Sequence, residues 1–166
     1  MYSNIPLYAP SFSGLNREHC LPKSWWGGGK EIPIYADLNN LFPSEMEANQ
    51  KKSNYPLGTV SGTPTYTNGV VKIGYPSSGQ GNGASRVFEP ADEYKGDFAR
   101  TYFYMITCYE NTYWTNTWMM QNSNYLELTG WAQELLLKWH REDQVSEKEL
   151  DRNDAVYRIQ NNRNPF

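Results

Sequence analysis

An α+β fold is predicted for this chain, as one mostly helical domain over residues 1–166 with a few short strands. Three observations predict it. The second half holds three stretches with helical apolar spacing or helix-start signals, at 97–110, 128–142 and 146–160. Two short runs, EIPIYADL at 31–38 and VVKIGY at 70–75, have the alternation or β-branched content of strands. The stretches around them are dense in Gly, Pro, Ser, Thr and Asn, the residues of turns. A chain of 166 residues is large enough to bury a core without disulfide or metal staples.

Taken in order, residues 1–14 are rich in Pro, Ser and Tyr and read as an extended arm. WWGGGK at 25–30 is a turn, and EIPIYADL follows as a short strand in which Pro33 favours an edge. Pro43 suits the first turn of a helix that SEMEANQKK continues with good helix formers. Strand, glycine-rich turn, strand and helix thus run over about 15–54, a compact ββα unit. Asn68-Gly69 is a turn signal ahead of the strand at 70–75, and SSGQGNG at 77–83 is a loop without the Lys-Ser/Thr of a phosphate loop. DFARTYFYMITCYE opens on Asp97 and is apolar all round, as a central buried helix would be. Leu128, Trp131, Leu135 and Trp139 form one stripe on the next helix. Ser146 and Glu149 form a capping box for the last one, whose apolar residues are Leu150, Ala155, Val156 and Ile159.

Composition excludes several classes. Aromatics make up 15% of the chain, too many for a disordered segment. The mean hydropathy is −0.76, and no apolar run approaches the roughly 18 residues of a membrane span. A net charge of −3 argues against a partner held by overall attraction, such as bulk nucleic acid or an anionic membrane, though not against a local basic groove. Positive residues do gather, with Arg17, Lys23 and Lys30 close in sequence and Lys51-Lys52 soon after, while acidic residues concentrate at 141–154. Cys20 and Cys108 allow one disulfide without requiring it, and their distribution does not suit zinc. The N-terminus has no basic segment followed by an apolar one, the mark of a secretory signal.

The residues that carry chemistry begin at NREHCLPKSWW, where Glu18 precedes His19, one of only two histidines. A neutral imidazole can take a proton from water near pH 7, and a carboxylate can hold a hard divalent cation. Neighbours on a strand face opposite ways, so the pair acts together only if the chain turns there, which Pro22 and the following glycines permit. A second oxygen ligand is needed, and Asp37, Asn40 and Asn49 are candidates. Asn49 stands out because asparagine is poorly suited to a helix interior. The other histidine, His140, sits beside Trp139 on an amphipathic helix and reads as structural.

The blocks NREHCLPKSWW, ADLNNLFPSEMEANQKKSNYPLG, RVFEPADEYKGDFARTYFYM and the terminal NRNPF resemble, in order, the bacterial endonuclease I family, periplasmic and extracellular nucleases of the His-Me finger (ββα-metal) superfamily. The resemblance implies a ββα-metal motif at about 15–54 and metal-dependent, largely sequence-nonspecific cleavage of DNA and, in some members, RNA. It implies His19 as general base and Glu18 as a Mg²⁺ ligand, with Ca²⁺ or Mn²⁺ as substitutes. By position in the family's D-L-H-N-L-x-P and N-x-x-R-S-N runs, Asn49 is the second ligand, with Asn40 as the fallback. Arg17, Lys23, Lys52, Arg86 and Arg100 are the candidates for phosphate contact, and Glu89 and Asp92 for supporting or helix-entry roles. The family also implies a secreted or periplasmic protein whose full-length gene encodes a signal peptide, and no membrane partner.

Three positions depart from the family pattern. Asn39 stands where histidine is usual, Cys20 where threonine or valine is common, and Lys52 where arginine is usual. Two rival readings are a secreted glycan-binding module built on the six tryptophans, and a nuclease homologue that binds nucleic acid without cutting it.

Overall fold

The structure, a computed structural model, describes residues 2–4, 13–122 and 127–166. Most of the predicted N-terminal arm lies outside the described residues. Among the described residues there are two antiparallel sheets, five α-helices and two short 3-10 helices, and the predicted α+β class is observed.

The first sheet is a two-stranded ribbon of β1 (Leu15–His19) and β2 (Leu41–Glu45), followed at once by helix α2 (Met46–Lys52), which packs against both strands. The second strand is not where the sequence placed it, and the helix, expected from Pro43 through SEMEANQKK, starts only at Met46. EIPIYADL forms a single helical turn, α1 (Pro33–Ala36), with Pro33 in the first turn, where its fixed φ is already helical. Pro43 lies inside β2 opposite Arg17, not at a helix start. A two-stranded ribbon leaves an edge on which the missing N–H of proline breaks no ladder. LFPSE also buries Phe42 and Ser44 while exposing Pro43, the period of a half-covered strand.

The second sheet orders β3 (Val60–Thr67), β4 (Val71–Pro76) and β5 (Val87–Pro90), all antiparallel. Asn68-Gly69 makes the predicted turn. Gly69 has φ +86°, and Asn68 Oδ1 accepts from the amides of Val70 and Val71. The register of β3 against β4 shifts between Ser61 and Tyr66, and there Gly74 must be bare, since a Cβ would lie 2.5 Å from Val60 Cγ1.

Helix α3 (Lys95–Cys108) is the buried helix expected from the sequence, with Phe98, Ala99, Tyr102, Tyr104 and Met105 inside, and it packs against α4 (Gly130–Glu142). On α4, Leu135 and Trp139 are buried and Trp131 is half-buried, so the predicted stripe faces the core. The Ser146–Glu149 capping box opens α5 (Glu147–Gln160) as predicted. Its apolar residues add little to the core, because only Val156 is buried while Leu150 and Ile159 are 56% and 71% exposed. Polar contacts hold α5 instead. Arg152 donates to the carbonyls of Leu38 and Leu41, and Gln160 bonds the Asp37 carboxylate. Both cysteines are free thiols, Cys20 buried and Cys108 exposed.

Candidate active site

Strand β1 ends on His19, and the chain must then turn. Asn40, fully buried, fixes that turn. Its carbonyl accepts from Cys20 N at 2.9 Å, its Oδ1 accepts from Leu21 N at 2.8 Å, and its Nδ2 donates to Leu21 O at 3.2 Å. Both ends of its amide are thus bonded to backbone and the residue is fully buried, which ties Asn40 to the loop and away from the fallback ligand place.

After the turn, Lys23–Trp26 form a short 3-10 helix, pinned by Trp25 Nε1 donating to Asn54 O and Thr115 Oγ1 to Ser24 O. A cleft of about 410 Å³ opens between this helix, the end of β1 and α2. Arg17, Glu18, His19, Lys23, Asn49 and Asn54 are among its walls. The pair Glu18-His19 and the more distant Asn49 therefore meet in one place, as the sequence reading required.

His19 is half-buried, with Trp26 and Tyr35 rings 5.7 and 5.0 Å from its own. Its Nε2 lies 2.8 Å from the Tyr35 carbonyl oxygen. A carbonyl only accepts, so Nε2 carries the hydrogen, and in the neutral ring the lone pair sits on Nδ1. Burial pulls the His19 pKa below its usual 6.5, against the smaller upward pull of this hydrogen bond and of Glu18. The ring is therefore mostly neutral at neutral pH.

Glu18 is buried to 8% exposure and bonded through Oε1 to Lys52 Nζ at 2.7 Å. Its Oε2 and the Asn49 side-chain amide accept or donate no hydrogen bond among the described residues. Both residues line the cleft. Among the described residues no three His, Cys, Asp or Glu side chains cluster as a metal cage. One carboxylate oxygen and one amide oxygen remain. This hard donor pair fits Mg²⁺, which keeps several waters and needs few protein ligands.

The predicted phosphate contacts divide. Arg17 and Lys23 are exposed at the cleft. Lys52 has no exposed side-chain surface and neutralises Glu18, so its assignment to phosphate is corrected. Arg100 is corrected likewise: 2% exposed, it grips Glu149 through two bonds of 2.8 and 2.6 Å and donates to Asp143 O. Arg86 lies over the Tyr75 ring, 3.9 Å from its centroid, outside the cleft wall. Glu89 is buried and accepts from Val60 N and Lys95, whereas Asp92 pairs with Lys95 at the surface. Asp37 is also buried, filled by Tyr104, Tyr109, Gln160 and the Asn39 amide. His140 contacts Arg100 and Phe103, a structural place.

Two features were beyond the sequence reading. The Tyr35 carbonyl is a backbone group in a segment read as strand, with no residue-type signal. The Glu18–Lys52 pair had one clue, a lysine where the family has arginine. A larger cavity of about 560 Å³ lies between α3, α5 and β2, but its arginines and acids are already paired with one another or with backbone. The tryptophans offer no flat sugar platform: Trp25, Trp26, Trp114 and Trp139 are buried, and Trp118 and Trp131 pack half-buried on the core.

Residues 7–166 match the family model described as Endonuclease I. The chain is 30% identical over 154 residues to an extracellular ribonuclease of Bacillus subtilis, covering 91% of this chain and 50% of the relative. It is 28% identical to Endonuclease-1 of Buchnera aphidicola, covering 90% and 59%, and 27% identical to a periplasmic deoxyribonuclease of Aeromonas hydrophila, covering 90% and 61%. The chain thus spans between half and about three-fifths of the length of these relatives. With a family match running through the ribbon, the cleft and all five helices, the chain belongs to the endonuclease I family.

Proposed function

We propose that this protein is an endonuclease that hydrolyses phosphodiester bonds of DNA or RNA without strong sequence preference, with His19 as general base and Mg²⁺ held by Glu18 and Asn49. The observation that carries the reading is the 2.8 Å contact between His19 Nε2 and the Tyr35 carbonyl oxygen. The Nε2–H is committed to the Tyr35 carbonyl, which leaves Nδ1 as the basic nitrogen on a ring that burial keeps neutral.

His19 Nδ1 takes the proton of a water as that water's oxygen attacks phosphorus, and the bond to the departing 3′ oxygen breaks. The half-buried ring, wedged between Trp26 and Tyr35, loses little freedom in doing so. Arg17 and Lys23, free at the rim, bind flanking phosphates. A hard divalent cation, when bound, supplies charge neutralisation on the phosphate and the departing oxygen. Glu18 and Asn49 would contribute the oxygens that hold it, and Asn40 keeps the turn that follows His19 in shape.

The names of the relatives, a ribonuclease, an endonuclease and a deoxyribonuclease found outside the cell or in the periplasm, support both the substrate class and an exported protein. Nicking of supercoiled plasmid, and cleavage of a labelled RNA, measured with Mg²⁺ and with excess EDTA, tests the reading. Cleavage is expected only with the cation. Full activity in EDTA would discard the mechanism, and binding without cleavage under every divalent cation would leave a nucleic-acid-binding homologue.

A further inference from the structure

We infer that Lys52 is a positioning residue that occupies one oxygen of Glu18, so that Glu18 offers the cleft a single oxygen and a site of zero net charge. This rests on the proposed Glu18–Asn49 cation site and adds to it a residue that neither touches substrate nor lines the cleft.

Four observations lead there. Lys52 has no exposed side-chain surface, a rare place for an ammonium, and Glu18 is its oxygen partner among the described residues. The remaining face of its ammonium meets the Phe88 ring, 5.9 Å to the centroid, so the pair is shut away from bulk water on the core side. The bond uses Oε1 and leaves Oε2 without a hydrogen-bond partner, in a residue that lines the cleft. Finally, Asn49 and Lys52 stand three residues apart on α2 and therefore share a face. One helical turn thus presents the second ligand and anchors the first.

The consequence is chemical. A carboxylate with both oxygens free can clasp a cation with two contacts, displacing water, and carries a full negative charge into the site. With Oε1 held by an ammonium 2.7 Å away, Glu18 can give only one contact, and the lysine charge opposes part of its attraction. The site then holds its cation loosely, with coordination left for water and phosphate oxygens.

The test compares cation affinity in the intact chain and in Lys52→Met and Lys52→Arg, read by Mn²⁺ electron paramagnetic resonance titration without nucleic acid. Removing the lysine charge frees Oε1 and lifts the repulsion, so Lys52→Met is expected to bind Mn²⁺ about tenfold more tightly or better. Lys52→Arg keeps the charge and the donor and is expected to stay within about threefold of wild type, since an arginine also holds one carboxylate. Equal or weaker binding by a folded Lys52→Met protein overturns the inference. A wild-type protein that binds no Mn²⁺, or binds it unchanged after Glu18→Gln, overturns the cation site itself and this inference with it.

Should Lys52→Met fail to fold, the wild-type protein supplies the answer through its lysine ammonium resonances in ¹⁵N-labelled protein. One ammonium signal is expected to be shielded from solvent exchange, to vanish in Lys52→Arg, and to persist on saturation with Mg²⁺. Its loss on adding Mg²⁺ would mean that the cation displaces Lys52 from Glu18, the opposite of what is inferred.

Discussion

At the residue scale the proposed mechanism turns on which nitrogen of His19 is free, and the group that engages Nε2 is a backbone carbonyl 16 residues away in sequence. His19→Ala is therefore expected to lower cleavage by about 10² to 10⁴-fold while leaving the fold intact, because the ring contributes a base and little of the core. His140→Ala, whose ring sits against Phe103 and Arg100, is expected to change the rate little. A comparable loss at both positions would mean the wrong histidine. The pH dependence follows from the direction of the shift. A base works when unprotonated, and burial lowers the His19 pKa from 6.5, so the acid limb of kcat/KM is expected to lie below pH 6.5 and the rate to be level on that side by neutrality. A limb centred at or above pH 7 would contradict it. That Glu18, His19 and Asn49 would share one cleft was legible in the sequence, because each is a residue type with distinctive chemistry at a family position. The Tyr35 contact was not legible, since any residue supplies a carbonyl, and Lys52 was misread because charge alone suggests the surface.

At the element scale, the helices that announced themselves are those with redundant signals. Helix α3 combines an acidic start with an unbroken apolar run, and α5 has a full capping box. The ribbon was harder. Pro43 fits a helix start and an edge strand equally by type, and only pairing with Arg17 decides between them. Strand β3 carries Gly62 and Pro64 across its register shift, which hides any period of two. Helix α5, with little apolar surface buried, is attached through charge. Arg100 on α3 grips Glu149 on α5, with Asp97 at 3.4 Å and Asp143 and His140 alongside. Burial, then the hydrogen bond and charge of Glu149 and the charge of Asp143, push the Asp97 pKa up to about 8 despite Arg100. The folded state thus keeps a proton on Asp97 that the unfolded chain releases near its ordinary 3.8. Its contribution to stability is full below that value and is lost as pH rises toward about 8, where the buried acid must ionise. Asp97→Asn, neutral at every pH, is expected to flatten that part of the decline between pH 4 and 8.5, measured by urea unfolding across the range. An unchanged slope would show that Asp97 is not the protonated partner.

At the scale of the whole molecule, the proposed binding of a polyanion by a chain with net charge −3 and a pI near 5.4 requires a local field. The fold makes that field smaller than the sequence suggested, because Lys52 and Arg100 are spent inside on Glu18 and Glu149. Arg17 and Lys23 remain exposed at the cleft, while the acidic stretch at 141–154 runs from the end of α4 into α5. With so few free cations at the cleft, the salt dependence of the proposed binding is expected to be shallow. For a His19→Ala protein, which binds without cutting, each residue that meets a phosphate steepens the plot of log K against log salt by about 0.9. Arg17→Ala and Lys23→Ala in that background are each expected to reduce the slope by about that amount, and together by about twice as much. Arg86→Ala, removing a guanidinium stacked on Tyr75 away from the cleft wall, is expected to leave it unchanged. A slope indifferent to Arg17 and Lys23 but reduced by Arg86→Ala would move the nucleic acid from the cleft to the outer sheet. That result would also separate binding from the His19 site, since a strand lying along β4 and β5 would then have to reach the base from outside the cleft.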